Sequence, residues 1–272
     1  MIIAIGINKG GVSKSMTCAC LSGIIYRDDG RVLIVDADNQ GNVSMAFGIN
    51  PDDFDLTLYE AITERAHPDE CIYRLHGDEP DGPCIDLLPS GDKMALFENH
   101  ALAGNDFDGR FDHLRRMLAR VSSDYDYILI DTPPNVGVTV GNILTAVDGV
   151  LVPFYPESFS LRSLVKMLQQ VNDFQAVKNG RLKFFGAFPA MVDKTTGFHS
   201  EIIEEAKDYA GEVGFTMFKT AIPRSIRVAK SVGRKGQPIV MTRPYDPISL
   251  KYRKLWREVL ASQKKYAEEP TP

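Results

Sequence analysis

Short apolar runs alternate along the chain with longer segments whose apolar residues recur at helical spacing. The runs at residues 2–7, 32–36, 85–88, 127–131, 149–154, 184–189 and 215–220 read as strands. Several are apolar throughout, as strands must be when helices cover both faces of their sheet. The segments at 14–27, 92–102, 110–121, 158–174, 199–209 and 248–266 read as helices. This alternation is the pattern of βα units. It predicts an α/β fold, a doubly wound, mostly parallel sheet with helices on both faces. Residues 50–83 are acidic and rich in Pro, Gly and Asp, so they read as a surface excursion with at most one helix, near Leu58. Residues 268–272 read as a frayed tail.

Composition adds limits. A chain of 272 residues that is 44% hydrophobic can bury one full core, so a single domain over residues 1–267 is expected. No apolar run approaches the roughly 20 residues that cross a bilayer. The N-terminus shows none of the features of a secretory signal, and the expected location is the cytoplasm. Cys18, Cys20, Cys71 and Cys84 form no C-x-x-C pair. They read as ordinary thiols, Cys18 and Cys20 pointing to different faces of one helix.

The net charge of −5 hides an asymmetry. Residues 219–257 hold 11 Lys or Arg against one acid, Asp246, for +10, while the remainder carries −15. A basic segment on an acidic chain is a localised electrostatic footprint.

Three segments carry candidate chemistry. After the first strand comes Asn8-Lys9-Gly10-Gly11-Val12-Ser13-Lys14-Ser15, opening a helix at Met16. A strand-to-helix turn aims backbone N–H groups and the positive end of the helix at one point, which suits phosphate. Lys14 would reach the β- and γ-phosphates, and the Ser15 hydroxyl would bind Mg²⁺. The second strand ends in Asp36-Ala37-Asp38-Asn39-Gln40-Gly41-Asn42. With that strand beside the first, its carboxylates would lie in the crevice where ligands of open α/β sheets bind. The fourth predicted strand closes on Asp131-Thr132-Pro133-Pro134. An acid ending four apolar residues is a Walker-B-like element whose carboxylate contacts Mg²⁺ directly or through water.

Asn8 and Ser13 occupy both glycine positions of G-x-x-x-x-G-K-[ST]. The turn instead resembles the deviant K-G-G-x-G-K-[ST] motif of the ParA/MinD ATPases, in which a glycine is usual where this chain has Ser13. If that position needs a positive φ, a serine there costs on the order of 1–3 kcal/mol. The second segment resembles the D-x-D-P-Q-G-N of ParA proteins, with Asn39 in place of proline. Leu88-Pro89-Ser90, Met191-Val192-Asp193 and Ile222-Pro223-Arg224-Ser225-Ile226-Arg227 continue the similarity along the chain. It is greatest to the small ParA/Soj partition ATPases that lack an N-terminal DNA-binding domain.

The resemblance implies a P-loop ATPase of the deviant Walker A type. Its nucleotide contacts would run from Lys9 through Gly10, Gly11, Val12, Ser13, Lys14 and Ser15 to Met16, joined by Pro223. Mg²⁺ would be served by Ser15, Asp36 and Asp131, and Asp38 would position or activate the attacking water. ATP would bring two subunits face to face, Lys9 of each crossing to the other's phosphates. The ATP-bound homodimer would bind double-stranded DNA regardless of sequence, in association with the nucleoid. A ParB-like partner would stimulate slow hydrolysis, moving a plasmid, chromosome or other cargo. Arg224, Arg227 and Lys230, spaced to share a helix face, together with Arg234, Lys235 and Lys194, are the candidate DNA contacts. The basic segment shows no interleaved aromatics to stack single-stranded bases, which favours contact with duplex backbone.

Three alternatives share parts of the pattern. A MinD-like membrane-cycling ATPase would end in an exposed amphipathic helix, but here Tyr252, Leu255, Trp256, Val259 and Leu260 read as packing against the domain, and no membrane contact is expected. An iron protein would need cysteines at a cluster bridging two subunits. A nucleotide-binding module without turnover is the third.

Overall fold

The computed structural model describes residues 1–6, 13–103, 109–135, 137–157, 160–193 and 197–268. Its strands are β1 (Ile2–Ile5), β2 (Arg31–Asp36), β3 (Tyr73–His76), β4 (Cys84–Leu88), β5 (Tyr127–Asp131), β6 (Gly149–Phe154) and β7 (Lys183–Pro189). Its α-helices are α1 (Lys14–Arg27), α2 (Asn42–Ala46), α3 (Leu58–Ile62), α4 (Phe97–Leu102), α5 (His113–Leu118), α6 (Val138–Ala146), α7 (Ser160–Val177), α8 (Gly197–Val213), α9 (Ile226–Lys235), α10 (Ile239–Thr242) and α11 (Pro247–Glu268).

The strands form one sheet in the order β3-β4-β2-β5-β1-β6-β7, parallel except where β3 pairs antiparallel with β4. Their uniform apolarity has the expected cause. Ile3 and Ile5 of β1, Val32 and Ile34 of β2 and Leu129 of β5 pack on one face with α1 and α11. The intervening Ala4, Leu33, Val35, Ile128 and Ile130 pack on the other with α3, α5, α6 and α7. Alternate residues of one strand thus enter two different cores. Tyr252, Leu255, Trp256 and Val259 of α11 are buried, and Trp256 meets Tyr127 edge to face at 5.0 Å. Among the described residues no helix is long and apolar enough to cross a membrane.

Several expectations need correction. The first two strands are not neighbours, because β5 inserts between them and pairs with both. Residues 50–83 hold α3 and also the edge strand β3. The expected helices at 92–102 and 110–121 each begin with a 3₁₀ turn, leaving only 97–102 and 113–118 as α-helix. Helix α6, made largely of Val, Ile, Leu and Gly, has no polar face and escaped a reading based on amphipathic spacing. Residues 215–220 run beside β7 without becoming a regular strand, since Met217 only bridges Ala187. The adjoining Gly186 has φ +137°, and a Cβ there would lie 2.5 Å from the Thr216 carbonyl oxygen, so the two segments approach irregularly.

Candidate functional site

The parallel order brings the carboxyl ends of β1, β2 and β5 side by side. Asp36 and Asp131 are register partners at the ends of β2 and β5, and Asp131 is also paired with Ile5 of β1. Neighbouring strands lie about 4.8 Å apart, so two carboxylates are forced together at the edge of the sheet. The Thr132 hydroxyl locks this edge by donating to the carbonyls of Ile5 and Gly6 at 3.1 and 2.7 Å. Sequence reasoning passed over Thr132, although its position directly after the acid could have drawn notice.

Opposite the carboxylates, α1 begins at Lys14. The lysine side chain is only 6% exposed. Its stem crosses Gly6, which has φ +69° and where a Cβ would meet Lys14 Cδ at 2.6 Å. A side chain at Gly6 would block the path of the lysine. Burial lowers the Lys14 pKa, and the neighbouring Asp131 and Asp38 charges oppose that shift.

Asp36 is tied down from both sides. Its Oδ1 accepts the Asp38 N–H at 3.1 Å and its Oδ2 accepts Val43 N–H at 3.1 Å. Burial and the adjacent Asp131 nevertheless raise its pKa well above the usual carboxylate range. Asp131 is fully buried, and neither of its oxygens has a hydrogen-bond partner. Burial pushes its pKa up to about 7, against the lowering influence of the Ser15 hydroxyl and of Lys14. Ser15 is close enough to favour the charged form but outside hydrogen-bonding geometry. Asp38 is buried, and its Oδ1 accepts the Gln40 N–H at 3.1 Å, which holds the carboxylate over the turn 38–41.

Ser13 precedes α1 with φ 61° and ψ 30°, the left-handed conformation that glycine would adopt without strain. It also lines a cavity of about 380 Å³ with Met16, Met191, Ile222, Pro223 and Tyr252. This cavity is mostly apolar, adjoins the lysine and carboxylate cluster, and brings Ser13, Met16 and Pro223 together across more than 200 residues of chain.

A cation fits the cluster. Among the described residues no three His, Cys, Asp or Glu side chains converge as a protein-only metal site. Orphaned carboxylate oxygens beside a serine hydroxyl suit a cation that takes most of its ligands from phosphate and water, as Mg²⁺ does. The four cysteines are all buried thiols, and burial raises their pKa values, so none is presented for a cluster shared between subunits.

Of the expected site residues, Lys9, Gly10, Gly11, Val12 and Lys194 lie outside the described residues. Arg234 and Lys235 lie on α9, with side chains likewise outside the description. Arg224 needs correction. It precedes α9, where its N–H donates to the Val192 carbonyl at 3.1 Å, so of Arg224, Arg227 and Lys230 the latter two alone share that helix. Arg227 is not free, because its guanidinium pairs with Asp246 at 3.1 Å. Asp246 also accepts the Ile248 N–H at the start of α11, and its pKa is lowered by that bond and by Arg227. The one acid of the basic segment thus joins α9 to α11. Tyr245 beside it is 83% exposed, so the basic surface does carry an aromatic side chain.

A protein-family model for an AAA domain matches residues 1–184. The sporulation initiation inhibitor protein Soj of Bacillus subtilis is 32% identical over 261 residues, covering 96% of this chain and 98% of the relative. The chromosome partitioning protein ParA of Caulobacter vibrioides is 29% identical over 265 residues, covering 97% and 95%. Among solved structures, cobyrinic acid a,c-diamide synthase from Mycobacterium smegmatis with bound ATP analogue and magnesium superposes with a TM-score of 0.79 at 28% identity. That match covers 100% of this chain and 98% of the other. With Lys14 at the start of α1 facing the carboxylates that end β2 and β5, and with 32% identity to Soj over nearly the whole chain, the chain belongs to the Soj/ParA family of chromosome partitioning ATPases.

Proposed function

We propose that the chain binds ATP with Mg²⁺ in this cluster and hydrolyses it slowly as a face-to-face homodimer that holds duplex DNA. The observation that carries the reading is Asp131, a fully buried carboxylate with two unpartnered oxygens beside a buried lysine. An uncompensated charge of this kind is costly unless a ligand completes it. The ATP analogue and magnesium in the Mycobacterium smegmatis relative support the assignment. We follow the partition role of the curated relatives rather than the synthase activity of that neighbour, because Soj is the more similar in sequence.

Lys14 would hold the β- and γ-phosphates, neutralising charge as it shifts to the leaving oxygen. Ser15, Asp36 and Asp131 would hold the cation, which when bound supplies charge neutralisation between the two terminal phosphates. Asp38 would orient water in line with the terminal phosphate, and Lys9 of the opposite subunit would add positive charge from across the interface. The apolar cavity bounded by Met16 and Pro223 would take the base.

Calorimetry should show saturable binding of ATP with Mg²⁺ and much weaker binding in chelator. Folded protein giving no heat in either condition would end this reading.

The basic surface at Arg224, Arg227 and Lys230 would neutralise DNA phosphates without reading sequence, next to a ParB-like partner and the nucleoid. Substituting Arg224→Ala and Arg227→Ala together should weaken binding to random duplexes uniformly. The slope of log affinity against log salt should fall by about two. An unchanged slope, with dimerisation by ATP intact, would place the DNA elsewhere.

A further inference from the structure

Four non-glycine residues among those described adopt a positive φ, and two of them, Ser13 and Met191, line the same cavity beside Pro223. That conformation brings the Cβ of an L-residue into conflict with its own backbone, so it persists only where its surroundings hold it.

The main chain holds Ser13. Its carbonyl accepts the Thr17 N–H at 2.9 Å and the Thr17 hydroxyl at 2.8 Å, which anchors the first turn of α1. A serine before a helix ordinarily adopts an extended conformation, and its hydroxyl then caps the N–H groups of the first turn. Ser13 does not, since its hydroxyl makes no capping bond to α1. The hydroxyl thus stays available to a ligand. Ser13 is followed directly by Lys14, which neighbours the unpartnered carboxylate of Asp131, and Ser13 itself lines the cavity with apolar Met16 and Pro223. Ser13 therefore occupies the boundary between the charged and the apolar halves of the site.

We propose that Ser13 is a nucleotide-positioning residue, its hydroxyl donating to a ligand oxygen where sugar meets phosphate, a contact that glycine at this position could not make. The strained conformation is then retained because it places the hydroxyl at that boundary. This rests on the nucleotide-site reading above.

Two substitutions separate the hydroxyl from the strain. Ser13→Ala keeps the Cβ and its conflict but removes the hydroxyl, whereas Ser13→Gly removes both. ADP affinity with Mg²⁺ by calorimetry and thermal unfolding of the nucleotide-free protein are measured for each. Affinity is expected to fall about five- to tenfold in both variants, the loss of one hydrogen bond. The melting temperature should rise in Ser13→Gly and stay near the unsubstituted value in Ser13→Ala. A merely structural serine would not yield a glycine variant that is more stable and yet binds more weakly. Affinity unchanged in either variant, or tighter in Ser13→Gly, overturns the proposal, the latter showing that the side chain obstructs the site. If the unsubstituted chain binds no nucleotide, the site reading falls with it. If it binds and the variants match it, the role of Ser13 alone falls.

Discussion

Asp131→Asn is expected to stabilise the nucleotide-free protein and to abolish Mg²⁺-dependent ATP binding. The fully buried carboxylate has no hydrogen-bond partner, and burial raises its pKa to about 7. In the unfolded chain an aspartate titrates near 4. Between those values the native state binds more protons than the unfolded state, so stability falls as pH rises from about 4 to about 7. A shift of about three units caps the penalty above neutrality at about 4 kcal/mol, with Lys14 beside it reducing what is realised. Asparagine carries no charge, so its burial does not carry the cost of an ionised carboxylate. In chelator at pH 8 its melting temperature should exceed that of the unsubstituted chain by roughly 5–10 °C for a domain of this size. Between pH 5 and 8 its stability should vary less, leaving chiefly the contribution of Asp36, whose pKa is also raised. Scanning calorimetry checks both statements. A lower melting temperature would mean that the carboxylate is compensated in the free protein, removing the main argument for a cation site.

Asp38→Ala should leave ATP binding within a few-fold and lower turnover by about 10²–10⁴, the usual range for removing a group that handles the proton of a nucleophile. The turn survives the substitution, because Gly41 N–H donates to the Asp38 carbonyl, a main-chain bond at 3.1 Å. Asp36 keeps its bonds from the Asp38 and Val43 N–H groups, neither of which needs the Asp38 side chain. Binding and hydrolysis should therefore separate. ATP-bound dimer should accumulate and remain on duplex DNA, visible by gel filtration and by DNA retention. Turnover at the unsubstituted rate, with DNA and the stimulating partner present, would deny Asp38 its role.

These outcomes would differ in what they teach, since the site was legible in the chain in unequal parts. Asp36 and Asp131 stood out because each closes an apolar run, and parallel strands in such folds end at one edge. Lys14 and Ser15 stood out because a lysine and a hydroxyl follow a glycine-rich turn at the start of a helix. Gly6 and Thr132, which clear and lock that edge, are single small residues whose roles exist only when β1 and β5 are paired. The basic segment was visible as a count of charges, but not that Asp246 engages Arg227 or that Arg224 lies before the helix.

By itself the amino-acid sequence determined the α/β class, the two-faced burial of the strands, the identity of the charged cluster and the family. Those properties follow from local periodicity and from residues that lie within one strand-to-helix unit. Tertiary structure decided that β5 separates β1 from β2, that Asp131 is left with two bare oxygens, and that Pro223 faces Ser13. Strand order, desolvation and contacts across 200 residues depend on which elements pack together, and residue spacing along the chain does not encode that choice directly.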